Sequence, residues 1–196
     1  TDFGGNASSI VTDPALSTNK ACKVIKSSTA ETWAGTTLGG SVGFSTAIPF
    51  TTTAKKISMR VYSPTIGTVI KMKVEDPNIS TRSVETEATT TVANGWQIME
   101  FNFANQSTGT AAYDSTYIYK KLSVFFNFGV NGTTAGEKTY YFDDVTFGTI
   151  VEIPQLNMPV TFESTTLNYG LTDFGGNASS IVTDPALSTN KACKVI

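Results

Sequence analysis

The sequence contains no histidine. That removes the usual general base at neutral pH and the commonest transition-metal ligand. Acyl transfer, zinc chemistry and redox chemistry lose their ordinary starting points, and the chain reads as no enzyme. Charge is also scarce. Only 15% of residues are charged, and 14 Lys and Arg nearly balance 16 Asp and Glu. Such a chain has no basic footprint for nucleic acid or for an anionic membrane surface. No apolar run approaches the roughly 20 residues that span a bilayer. The first residues are polar and carry no leader, so the export signal of a secreted parent is expected to lie outside these residues.

Cysteine is nearly absent too, and its count misleads. Cys22 and Cys193 stand at the same place in two copies of one segment, TDFGGNASSIVTDPALSTNKACKVI, found at 1–25 and again at 172–196. The repeating unit therefore holds one cysteine. No disulfide framework is expected, and the residue reads as a small buried apolar side chain.

What is abundant is Thr, Ser, Asn and Gly, the composition of β-rich extracellular domains. Hydrophobicity alternates with period 2, the signature of half-buried strands. In KKISMRVYSP, Ile57, Met59 and Val61 oppose Ser58, Arg60 and Tyr62. In GTVIKMKVEDP, Ile70, Met72 and Val74 oppose Val69, Lys71, Lys73 and Glu75. WQIMEFNF, KLSVFFNFG and KTYYFDDVTFG add strands rich in aromatic and β-branched residues. TRSVETEATTTV (81–92) is expected to pair across the Asp76–Ser80 turn. Turn signals such as Ser63-Pro64, Asn94-Gly95 and Asn131-Gly132 separate these runs. AAYDSTYIYKKL (111–122) is the one stretch with any helical leaning. Short strands with frequent turns predict an all-β jelly-roll sandwich of two antiparallel sheets.

The composition shifts at TIVEIPQLNMP. This divides the chain into a sandwich module at 1–148, a linker at 149–158, and the start of a next repeat at 159–196. The repeat offset is 171 residues (172 against 1). In that frame the first strand of a unit is PVTFES, displaced here to 159–164. It is expected to close its own sandwich, or to be donated to a neighbouring molecule's open edge. A third explanation is that the chain is one window of a longer tandem array.

In phase, the unit runs from TFES and DFGG through RVYSP and NGW to YYFDDV. That order resembles the non-catalytic β-sandwich modules found beside secreted glycan-degrading enzymes of Bacteroidetes. They are similar to the carbohydrate-binding modules grouped with families 4 and 9, and the resemblance covers nearly the whole unit. It implies an extracellular module that holds a structural Ca²⁺ through Glu163 and Asp143 or Asp144. Calcium wants several hard oxygen ligands, and adjacent Asp143 and Asp144 diverge on a regular strand unless a bulge intervenes. It also implies a polysaccharide or cell-surface glycan bound along one sheet face.

The alternation supplies candidates for that face independently: Arg60, Tyr62, Lys71, Lys73 and Glu75, with Asn127 joining them and Trp33 as the stacking platform. A sugar's C–H face packs on an aromatic ring while its hydroxyls take charged or planar partners. The same residues also suit a solvated face laced by cross-strand Lys–Glu pairs. Trp96, which opens an apolar strand, reads as core. Two functions follow: a glycan-binding repeat of a large surface adhesin, or a protomer of an extracellular filament joined through 159–196.

Overall fold

A computed structural model describes residues 1–150, 159–165, 167 and 169–196. It forms two units, Thr1–Ile150 and Val151–Ile196, each taken by itself below. The expected linker at 149–158 lies for the most part outside the described residues.

The first unit holds strands β1 (Asp2–Phe3), β2 (Asn6–Thr12), β3 (Lys20–Lys26), β4 (Gly35–Leu38), β5 (Lys56–Ser63), β6 (Val69–Glu75), β7 (Ser83–Thr89), β8 (Gly95–Asn102) and β9 (Lys121–Phe126). A one-turn helix α1 (Gly132–Ala135) and β10 (Lys138–Phe147) complete it. The strands form two five-stranded sheets with all pairings antiparallel. The first runs β1-β4-β9-β6-β7 and the second β2-β3-β10-β5-β8. This is the jelly-roll sandwich that the alternation predicts. Residues 111–120 contain no helix.

The inner faces meet in one core. Ile70, Met72 and Val74 of β6 lie with Leu122, Val124 and Phe126 of β9 against Met59, Val61, Phe101 and Tyr140 of the second sheet. Phe126 stacks on Tyr140 with ring centroids 4.9 Å apart. Each large side chain so buried contributes about 1.5–3 kcal/mol. Lys26 of β3 crosses the sandwich, and its ammonium donates to the carbonyls of Phe126 and Asn127 at 3.1 and 2.9 Å. Its burial lowers its pKa. Among the described residues, no helix is long and apolar enough to cross a membrane.

Among its described residues the second unit contains one hairpin, β11 (Ser179–Thr183) with β12 (Lys191–Val195). It belongs to the repeated segment and reproduces the β2–β3 register. Ser179 faces Val195 and Thr183 faces Lys191, as Ser8 faces Val24 and Thr12 faces Lys20. The loop is fixed the same way in both. Asp13 Oδ1 accepts from the N–H groups of Ala15 and Leu16, and Asp184 Oδ1 from those of Ala186 and Leu187. Asp2 and Asp173 likewise accept from Ser8 and Ser179. The hairpin is therefore set by local hydrogen bonds, since its surroundings differ between copies. Val24 is fully buried, whereas Val195 is 57% exposed. Pro159–Ser164 carries no strand within its own unit, so the expected displaced first strand is not formed there.

Candidate functional site

The outer face of the first sheet gathers the side chains that alternate away from the core. Lys71 and Lys73 of β6 stand opposite Glu87 and Glu85 of β7, and Glu75 stands opposite Lys121 of β9. Lys71 Nζ contacts Glu85 Oε2 at 3.0 Å and Glu87 Oε1 at 3.1 Å. Glu75 accepts from Lys73 at 2.6 Å and from Lys121. Burial alone would raise the Glu75 carboxyl, but the two ammonium donors outweigh it and hold the pKa below the ordinary value. Three lysines and three glutamates thus neutralise one another across β9, β6 and β7.

The other end of the face is aromatic. Phe3 of β1 stacks on Trp33 (centroids 6.1 Å, planes 15° apart) and meets Phe125 of β9 edge-on at 5.7 Å. Gly35 makes this possible, because a Cβ there would lie 2.6 Å from the Phe3 ring and 2.9 Å from that of Phe125. Trp33 is 51% exposed. Between the rings and the charged ladder lies a groove of about 550 Å³, floored by Thr37 and Ser123, whose hydroxyls share a hydrogen bond of 2.8 Å. A smaller pocket along Phe44–Pro49 has no charged lining and lies apart from these groups.

Of the residues expected from sequence, Trp33, Lys71, Lys73 and Glu75 share this groove. Arg60 and Tyr62 do not. β5 and β6 follow one another in sequence but belong to different sheets, so their outward residues face opposite sides of the sandwich. Tyr62 instead packs edge-on against Trp96 and Tyr141, and the Arg60 guanidinium lies 4.8 Å from the Trp96 ring. Asn127 follows β9 and sits in the left-handed region at φ 49°. It is absent from the groove lining. Phe3, Phe125, Lys121, Glu85 and Glu87 join the face without having been singled out. The alternation of KLSVFF and SVETEAT carries that signal for β9 and β7.

Trp96 also departs from expectation. It is half-buried on the outer side of the second sheet, with its indole N–H donating to Asp13 Oδ1 at 3.0 Å. The buried side of β8 is carried by Met99 and Phe101.

The three carboxylates expected to share a calcium each have a partner within their own unit. β10 does bulge between Asp143 and Thr146, with Asp144 at φ 50°. However, Asp143 Oδ2 accepts from Asn19 Nδ2 at 2.9 Å, and Asp144 pairs with Arg60 at 3.6 Å. Glu163, in the second unit, accepts from the Lys191 N–H at 2.7 Å. Among the described residues, no three acid, histidine or cysteine side chains are grouped to hold a metal ion.

No family model and no curated protein matches the chain. Several solved structures are similar to it. A family 11 carbohydrate-binding module from Clostridium thermocellum, solved with a β-1,3-1,4-mixed-linked tetrasaccharide, is 14% identical over 74% of this chain and 84% of that one, at a TM-score of 0.48. A family 30 carbohydrate-binding module is 12% identical over 77% and 80%, at 0.48. The CBM22-1 xylan-binding domain of a Paenibacillus barcinonensis protein, Xyn10C, is 16% identical over 74% and 81%, at 0.42. At such identities a likeness concerns fold and leaves ligand open.

Proposed function

We propose that this protein is a non-catalytic, extracellular glycan-binding module that takes an uncharged polysaccharide along the outer face of its first sheet. The observation that carries this reading is the pairing of a half-exposed Trp33 ring, braced from behind by Phe3, with a charged ladder that sums to zero. The ring offers a stacking surface for a sugar's C–H face. The Lys and Glu heads offer donors and acceptors to hydroxyls, while each ammonium already has its carboxylate, so an anionic sugar finds no unpaired cation. The repeated segment supports a place in a tandem surface protein of adhesin type, where several modules on one chain raise avidity.

A polysaccharide array followed by calorimetry tests the reading. The expected result is binding to a neutral glycan that persists at high salt, because paired charges leave little for salt to screen, and that weakens about tenfold or more in Trp33→Ala. Failure to bind any neutral glycan, or binding unchanged in that variant, would refute it.

A further inference from the structure

The charged ladder on the first sheet is built from two triads of opposite make-up. In one, Lys71 stands between Glu85 and Glu87. In the other, Glu75 stands between Lys73 and Lys121. The central member is the covered one each time. The Lys71 side chain is 7% exposed and its two carboxylates lie outside it. The Glu75 side chain is 8% exposed, against 23% for Lys73 and 22% for Lys121. The second triad therefore shows a ligand two ammonium groups that share one buried carboxylate.

Strand register explains why Glu75 serves both lysines. β7 sets Glu87 and Glu85 opposite Lys71 and Lys73, but it sets the uncharged Ser83 opposite Glu75. β9 sets Lys121 on the other flank of Glu75. Glu85, although opposite Lys73, turns to Lys71 at 3.0 Å, which leaves Lys73 to Glu75 at 2.6 Å. Among the described residues, no other carboxylate pairs with Lys73 or Lys121. All three members line the groove beside Trp33. The two ammonium donors also keep Glu75 ionised against its burial.

We infer that Glu75 sets the charge selectivity of the groove, accepting neutral polysaccharides and refusing acidic ones. This rests on the glycan reading above and adds the residue that decides between the two classes. An ammonium has three donors. Each lysine that gives one to Glu75 keeps others for a sugar hydroxyl. An acidic sugar reaching the same lysines must bring its carboxylate beside that of Glu75, and like charges repel strongly where water is scarce. Glu75 is thus a specificity residue that acts through Lys73 and Lys121.

The test compares affinities for the neutral glycan found on the array and for its carboxymethylated form, by calorimetry on the full chain. The wild type is expected to prefer the neutral form by about tenfold or more, the worth of one charge-assisted hydrogen bond. Glu75→Gln should erase that preference, and its binding of the acidic form should weaken with salt. The double variant Glu75→Gln/Lys73→Gln keeps the net charge of the wild type but leaves Lys121 without its carboxylate, so it too should lose the preference. It also removes the repulsion between two unpaired lysines, which keeps the test open if the single variant does not fold. Glu87→Gln changes net charge as Glu75→Gln does, yet leaves Lys71 with Glu85, and should keep the preference. A preference absent from the wild type, retained when Glu75 is replaced, or lost equally in Glu87→Gln would overturn the inference and leave neutral-glycan binding standing. A wild type that binds no neutral glycan would overturn the glycan reading and this inference with it.

Discussion

Phe3 and Trp33 stack with their planes 15° apart, and the two rings reach the same face by different routes. Phe3 comes from the repeated segment, and Trp33 from the loop before β4. Gly35 lies beneath the junction. Trp33→Ala is expected to reduce glycan affinity by about tenfold or more, the order of one lost aromatic contact of about 1.5 kcal/mol, with little change in melting temperature. Gly35→Ala should act differently. Its Cβ displaces Phe3 or Phe125, so stability falls by about 1–3 kcal/mol and affinity falls with it. Thermal denaturation alongside calorimetry separates the two variants.

Acid should unfold the protein through carboxylates held below their ordinary pKa. For Glu75, burial opposes the shift and the Lys121 and Lys73 donors win. For Asp13, burial again opposes, and donors from Ala15, Trp96, Asn19 and Leu16 win. A depressed folded pKa means stability that is present above the unfolded pKa of about 4 and lost as pH falls through the folded value. Urea midpoints should be flat above about pH 5 and drop below about pH 4. Glu75→Gln should lower the plateau and soften the drop. A midpoint that rises on acidification would contradict this account.

Asp13 also allows the two hairpins to be compared. In the first copy Trp96 donates its indole N–H to Asp13. Trp96→Phe removes one donor from a buried acceptor that keeps its loop partners, and should cost about 1 kcal/mol. The loop of the second copy should be unaffected, because Asp184 takes all of its described partners from its own loop. Amide chemical shifts at Ala15 and Ala186 would report the difference.

The thiol of Cys22 is pushed up to about 11, first by burial and then by the Asp2 charge. At pH 8 only about one molecule in a thousand carries the reactive thiolate. In a Cys193→Ser background, iodoacetamide should therefore label Cys22 much more slowly in the native protein than in urea, as read by intact mass. Equal rates would show that the packing over Cys22 opens freely.

Alternation along single strands was legible in the sequence, and it carried most of the fold. The inward and outward residues of β5, β6 and β9 follow the period-2 reading directly. Even the Trp96 error was avoidable, because Trp96 shares parity with Glu100 and opposes Met99 and Phe101. What the pattern could not show was which sheet each strand joins. Ser63 and Val69 are separated by a short turn, held by Ser63, Thr65 and Thr68, that carries the chain from one sheet to the other. Nothing in the local alternation of β5 or β6 reveals that crossing, so Arg60 and Tyr62 were grouped with lysines on the far side. The Phe3–Trp33–Phe125 cluster escaped for a related reason. Its members are brought together only by the β1-β4-β9 pairing and by the absence of a side chain at Gly35.

The duplicated hairpin makes one substitution into two distinct experiments. A polar residue at position 24 goes into the packed centre of a sandwich, and the same residue at position 195 goes largely into water. Within a single polypeptide, sequence context is held constant over 25 residues while the environment changes. Any difference between paired variants at 24 and 195 therefore measures the surroundings alone, with the intrinsic preference of the strand cancelled by the molecule itself.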